Sequence, residues 1–242
     1  MKQIFIGLTI VLLALFAVNA HAQVKKKPVK KTAVTRTRVS FNPPVIKKIP
    51  GVRVKLTTDS GVIVIRLYDK TPKHRDNFIK LAGTHFFDSL LFHRVISSFM
   101  IQGGDPQSKN SPAGTMLGNG DVGYTIPAEF DTSLFHKKGA LAAARTNNPE
   151  KASSGCQFYI VQGKIYTDAE LDMLEMKMGI KFPLQHRMVY KTIGGVPFLD
   201  MNYTVFGEVE SGLQVIDKIA SVPKDASDRP LGDVRMKIEV MK

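Results

Sequence analysis

The stretch LFHRVISSFMIQGGD, residues 91–105, decides how the rest of the chain is read. Residues 91–95 are apolar or β-favouring and form a strand by composition; residues 99–102 form a second, shorter one that stops at Gly103 and Gly104. The anomaly is Arg94. A guanidinium stays charged at any accessible pH and offers five donors, so a strand that sets one beside Phe99 and Met100 has to give it a partner. That partner is a structural ion pair, the commoner fate of an arginine, or a ligand. Residue type alone does not separate the two.

Outward from this stretch the chain keeps a β rhythm. Residues 52–58 and 61–68 alternate around the turn chemistry of Asp59-Ser60-Gly61 and predict a hairpin. Residues 71–82, TPKHRDNFIKLA, predict a helix with Thr71 as its cap and Pro72 in its first turn. Downstream, residues 106–121 are glycine-rich. Gly118-Asn119-Gly120 invites comparison with a phosphate loop, but no lysine-serine ending and no strand-to-helix context follow, so a long surface loop is expected. GALAAA at 139–144 is small enough for something to approach its backbone closely. CQFYIVQ at 156–162 is a strand, with Cys156, Phe158 and Ile160 on one face and Gln157, Tyr159 and Val161 on the other.

Residues 165–195 break the rhythm. Thr167 and Glu170 have capping-box spacing, Gly179 ends the run, and residues 183–192 can form a second helix. Met173, Met176 and Met178 are expected to pack against the body. Beyond the segment come a strand at 203–207, a helix capped by Ser211, and a strand at 234–240. About eight strands and two helices outside the helical segment favour a closed or nearly closed antiparallel β-barrel, since closure removes exposed edges, although periodicity alone does not separate barrel from sandwich.

The ends carry a different message. Lys2, the apolar run at 4–18 and Ala20-His21-Ala22 fit a secretory signal peptide over 1–22, cut before Gln23 and too short to span a membrane comfortably. The net charge of +13 is concentrated beyond it: ten basic residues and no acid lie in 23–53, whereas 54–242 holds 23 basic and 21 acidic residues. With Pro28, Pro43, Pro44 and Pro50, residues 23–50 are expected to be a flexible basic arm, a tether and not a nucleic-acid binder, because no aromatics interleave with the charges. One cysteine, Cys156, excludes an internal disulfide framework.

Taken together, FHRVISSFMIQGGD at 92–105, GALAAAR at 139–145, SSGCQFYIV at 153–161 and FLDMNYTVFGEV at 198–209 resemble, in order and spacing, the cyclophilin-type peptidyl-prolyl cis-trans isomerases. The resemblance covers residues 52–242. It implies a mainly β fold: a closed eight-stranded antiparallel β-barrel capped by two α-helices, with 165–195 as a helical insertion that could overhang the groove. It also implies roles. Arg94 matches the catalytic arginine and Gln102 the amide that orients it. Phe99 and Met100 match the floor of the proline pocket, Leu199 its apolar wall, and Tyr159 a position that is usually phenylalanine. Phe198 stands where many relatives have tryptophan, Tyr203 where histidine is common, and Arg145 where asparagine is common. Ala144 and Gln157 complete the implied substrate-binding set. Phe198 implies weakened binding of cyclosporin-like macrocycles.

The expected function is acceleration of X-Pro bond rotation in exported proteins, in the periplasm or another extracytoplasmic space, assisting their folding. The alternative is a non-catalytic module of the same fold that grips proline-containing segments; a weaker third reading gives the basic arm an anionic surface. The expected partners are proline-containing polypeptides, with no specific nucleic acid, no stable membrane insertion after cleavage, a monomeric state, and no metal or cofactor. A hydrolase triad of His93, Asp105 and Ser97 or Cys156 can be drawn on paper, but strand alternation turns His93 away from Arg94, and a hydrogen-bonded structural histidine is expected. His74, His85, His136 and His186 lack zinc spacing.

Overall fold

A computed structural model of the chain describes residues 51–241, and the expected signal peptide and basic arm lie outside the described residues. Strands β1 (Arg53–Thr58) and β2 (Gly61–Leu67) form the expected hairpin, its turn held by Thr58, whose hydroxyl donates to the Gly61 carbonyl and accepts from the Ser60 amide. Helix α1 (Pro72–Gly83) follows, then β3 (Leu90–Ile96), β4 (Met100–Gly103), a two-residue β5 (Thr125–Ile126), β6 (Ala140–Ala143), a two-residue β7 (Ser153–Ser154) and β8 (Phe158–Val161). Helices α2 (Asp168–Met178) and α3 (Leu184–Thr192) occupy the insertion, and β9 (Val205–Ser211), α4 (Leu213–Ala220) and β10 (Arg235–Val240) complete the order. Eight strands close antiparallel in the order β1-β10-β3-β4-β8-β6-β9-β2, and β5 pairs with β7 outside the barrel. The seam is β1 against β10, with Val54 opposite Val240, so neither edge of β1 is left bare.

Alternation fills the interior. Val54, Leu56, Ile63, Ile65, Ile101, Leu141, Phe158, Ile160 and Ile238 point inward into one cluster, while Met100, Ala142, Tyr159 and Val161, their chain neighbours, belong to a second cluster on the outer face. Helix α1 plugs one end through Phe78, whose ring meets Phe158 edge-on at 5.4 Å and Phe87 at 4.9 Å, geometry that contributes about 0.5–1.5 kcal/mol per pair beyond area burial. Helix α4 buries Val215, Ile216 and Ile219.

Both caps chosen from sequence for these plugs differ. Thr71 occupies the N-cap position of α1 but makes no capping bond; instead Glu129, far along the chain, accepts from the amides of Lys73 and His74 at 3.0 Å each and from the His74 ring at 2.7 Å. A carboxylate there meets both the free amides and the positive end of the helix, which a hydroxyl cannot match. Ser211 is the last residue of β9, and the N-cap of α4 is Gly212 at φ 94°.

The insertion folds on its own small core. The capping box is present in full, Gly179 adopts the left-handed C-cap, and Leu171, Phe182, Tyr166 and Tyr190 pack together. Arg187 bridges the helices, pairing with Asp168, Asp172 and Glu175. Its two ends meet at a glycine stem: Gly163 has φ 66° and its missing side chain would overlap the backbone of Gly195. The methionine expectation fails for two of three residues. Met178 packs on this core, but Met173 and Met176 are 64% and 83% exposed, because Leu171 and Leu174 already take the inward positions of α2.

Candidate active site

The Arg94 anomaly resolves through a bulge. Phe92 pairs with Gly103 but Arg94 pairs with Gln102, so His93 is an extra residue in β3. The bulge resets the alternation: Phe92 and Val95 both enter the barrel core, and Arg94 emerges on the outer face. There it makes no ion pair among the described residues and donates one hydrogen bond, from Nη1 to Oε1 of Gln102 at 3.4 Å. An arginine with spare donors and no counter-charge is suited to a ligand and not to a structural bridge.

Beside it lies a cavity of about 150 Å³ lined by Arg94, Phe99, Met100, Gln102, Ala144, Arg145, Tyr159, Leu199 and Tyr203. That is too small for a drug-sized molecule and of a size for a single small ring. The floor comes from β4 and β8, where Gln102 faces Tyr159 in register; Leu199 comes from the turn Pro197–Leu199, and Tyr203 from the approach to β9. The small-residue stretch GALAAA forms β6, whose Ala142 pairs with Tyr159, and Ala144 just beyond it lines the cavity. Gln157 and Phe198 do not line this cavity. Phe198 is 41% exposed and stacks on Phe99 at 5.7 Å, outside the pocket wall. Arg145 is tied back to the protein beside the cavity: Nε donates to the Asn202 carbonyl at 2.9 Å and the guanidinium sits 4.7 Å over the Tyr203 ring.

Gln157 acts one step behind. Its Nε2 donates to the carbonyls of Gly118 and Gly120 at 2.9 and 2.7 Å, which leaves its Oε1 to accept from Nε2 of Gln102 at 3.1 Å. The Gln102 oxygen is thereby turned toward Arg94. The amide orientations follow from donor supply alone. Asp105 secures the same loop from its other side: fully buried, it accepts from the amides of Gln107, Gly118 and Gly120. Its oxygens are therefore spent on backbone and cannot serve a triad. The glycine-rich loop, expected to be bland surface, walls a second and larger cavity of about 520 Å³ beside the first, lined also by Gln102, Ala144, Arg145 and Gln157. Sequence reasoning missed this cavity, and the clue was a Gly-x-Gly run whose backbone alone had to be gripped.

The decoys separate from the site. His93 is buried under that loop against Gly118, burial pushes it down to about 4, and neither ring nitrogen has a hydrogen-bond partner of normal geometry among the described residues, so it is structural but not hydrogen-bonded as expected. Burial pushes the Cys156 thiol up to about 11, which removes it as a nucleophile at neutral pH. No residue of the insertion lines the small cavity, so the expected overhang is absent. The insertion reaches the site by another route: Tyr190 of α3 donates to Asp200, Asp200 accepts from His136, and His136 meets the hydroxyl of Tyr159.

Comparison with known proteins agrees with this geometry. The family model for cyclophilin-type peptidyl-prolyl cis-trans isomerases matches residues 53–240. A protein of Staphylococcus haemolyticus designated a peptidyl-prolyl cis-trans isomerase is 33% identical over 184 residues, covering 76% of this chain and 87% of that one. A Streptococcus pyogenes protein designated a bifunctional phosphatase and peptidyl-prolyl cis-trans isomerase is 37% identical over 188 residues, covering 76% of this chain, which spans only 37% of that protein's length. Among solved structures, a cyclophilin-type isomerase of Cryptosporidium parvum superposes with a TM-score of 0.58 at 21% identity, covering 79% of this chain and 98% of that one. The same protein in the presence of the dipeptide Ala-Pro gives 0.57, likewise at 21% identity, covering 78% and 99%. A barrel closed in this strand order, with a family match along its whole length, leaves one assignment: the chain belongs to the cyclophilin-type peptidyl-prolyl cis-trans isomerases and is an isomerase of X-Pro bonds.

Proposed function

We propose that Arg94 is the catalytic group and that the 150 Å³ cavity receives the prolyl ring. Rotation about a peptide bond is opposed by about 18–20 kcal/mol because the nitrogen lone pair is delocalised into the carbonyl, and only X-Pro bonds populate both isomers usefully. A donor aimed at the prolyl nitrogen stabilises the lone pair once the amide twists, and has little to offer the planar ground state. Phe99, Met100, Tyr159 and Leu199 hold the ring, a burial that contributes roughly 1.5–3 kcal/mol, while the other side of the bond turns. Gln102, held by Gln157, keeps the guanidinium over the ring. The observation that carries this reading is an arginine without a counter-charge bordering a small cavity whose wall includes Phe99, Met100, Tyr159 and Leu199. Nothing in the reaction calls for a nucleophile, metal or cofactor.

The test is Arg94→Ala. One charge-assisted hydrogen bond of about 3 kcal/mol corresponds to roughly a hundredfold in kcat/KM for exchange of an X-Pro peptide, with the urea midpoint unchanged. Unaltered exchange overturns the assignment.

The substrates we infer are proline-containing segments of exported proteins, folding outside the cytoplasm. The signal-peptide pattern of residues 1–22 supports export, and fractionation with mass determination of the mature N-terminus checks it; a full-length, cytoplasmic product overturns it. Residues 23–50 act as a tether, so a chain beginning at residue 51 keeps full turnover. The mature protein works as a monomer outside the bilayer, checked by sedimentation. Phe198, exposed and stacked on Phe99, offers no indole N–H, and a cyclosporin-like macrocycle is expected to bind no better than micromolar.

A further inference from the structure

The pocket wall contains one polar group that gripping a prolyl ring does not require. Tyr159 is 4% exposed, and its hydroxyl is buried where the family resemblance implies a plain phenyl ring. It is 2.9 Å from Nε2 of His136, which is itself fully buried. Nδ1 of His136 is 2.9 Å from Oδ1 of Asp200, and the same oxygen accepts the His136 backbone amide at 2.9 Å. The other oxygen of Asp200 accepts from the hydroxyl of Tyr190 at 2.6 Å. A carboxylate only accepts, so Nδ1 of His136 carries a proton toward Asp200, and Nε2 on the far side of the ring shares a hydrogen bond with the Tyr159 hydroxyl. Every polar atom in the line is satisfied, and each partner is fixed by the one before it.

The two ends of the line lie in different parts of the fold. Tyr190 stands on α3, and its ring is the centre of the insertion's core, meeting Phe135 at 5.5 Å, Phe182 at 5.9 Å and Tyr166 at 6.3 Å. Asp200 directly follows Leu199, a pocket wall, and its own amide closes the Pro197–Leu199 turn. The insertion is therefore joined to two pocket walls, Tyr159 through His136 and Leu199 through the chain. It contributes no lining residue of its own.

We propose that the insertion is a positioning device for the prolyl pocket: Tyr190, His136 and Asp200 are positioning residues that fix the Tyr159 ring and the Leu199 turn and so set how tightly a proline segment is held. This rests on the assignment of the cavity to the prolyl ring. The buried line is rigid because any break strands a polar group inside the protein, so loosening it at Tyr190 is felt at Tyr159. The device acts on substrate binding and leaves the lone-pair interaction at Arg94 untouched.

Tyr190→Phe removes one hydroxyl and keeps the aromatic core. It is expected to raise KM for an X-Pro peptide about fivefold to tenfold with kcat nearly unchanged, whereas Arg94→Ala lowers kcat. Tyr159→Phe is expected to abolish the effect: Tyr190→Phe adds nothing to KM in that background, as coupling through one line requires. Thr167→Ala, which weakens α2 far from the line, is expected to leave KM alone and so controls for a general loosening of the insertion. In histidine-labelled protein, the Nδ1–H resonance of His136 is expected to shift both with Tyr190→Phe and on saturation with peptide. Unchanged KM in Tyr190→Phe, or additive effects of the two tyrosine changes, overturns the proposal while leaving the arginine reading standing; loss of the Arg94→Ala effect on kcat overturns the reading beneath it.

Discussion

Arg94 shows how little of a residue's role lies in its type. Its neighbours in sequence are apolar, and only the bulge at His93 turns it outward while Phe92 and Val95 both face in. His93 bears the cost of that bulge as an imidazole under the Gly118 loop, and the cost is measurable. Burial holds it at about 4 against 6.5 in the unfolded chain, so between those values the unfolded state binds more protons. Stability is expected to fall as pH drops from 6.5 toward 4, with up to about 3 kcal/mol from this one group. His74 and His186 are also lowered by burial and add in the same direction. Urea midpoints at pH 7 and 4.5 for the wild type and His93→Leu check it; an equal slope in both refutes the assignment to His93. At Gln157 the expectation is kinetic. Gln157→Leu frees the Gln102 amide to rotate and is expected to cost about tenfold in kcat/KM, read in a peptide exchange assay.

At the scale of elements, the sequence was most legible where the signal is local. The hairpin, the alternation of β8 and the capping box of α2 were all readable, because each depends on residues two to four apart. The site residues were identified through the motifs they form with their neighbours, and nine of the eleven border one cavity. What escaped was non-local. Glu129 caps α1 from 56 residues away, so Thr71 looked sufficient. Gln157 and Asp105 grip a glycine loop by its backbone, which leaves no side-chain pattern to read. Met173 and Met176 have helical spacing but lost the inward positions to leucines. The capping difference gives a direct comparison. Glu129→Gln is expected to lower stability by about 1–2 kcal/mol, and Thr71→Ala by less, in paired urea unfolding curves.

For the whole molecule, the decisive feature is that the barrel is sealed by its first and last strands. Ile238 lies in that seam at 1% exposure, opposite Leu56, and Ile238→Ala is expected to cost about 2–5 kcal/mol, seen as a lowered Tm in calorimetry. Contacts so distant in sequence also make folding slow relative to a helical bundle of equal size. A chain still on the ribosome, with β10 not yet released, thus has β1 and β3 waiting for a neighbour that has not arrived. The ring cannot shut, the groove floor on β3, β4 and β8 has no stable backing, and X-Pro turnover begins only once the carboxyl-terminal residues are free to dock.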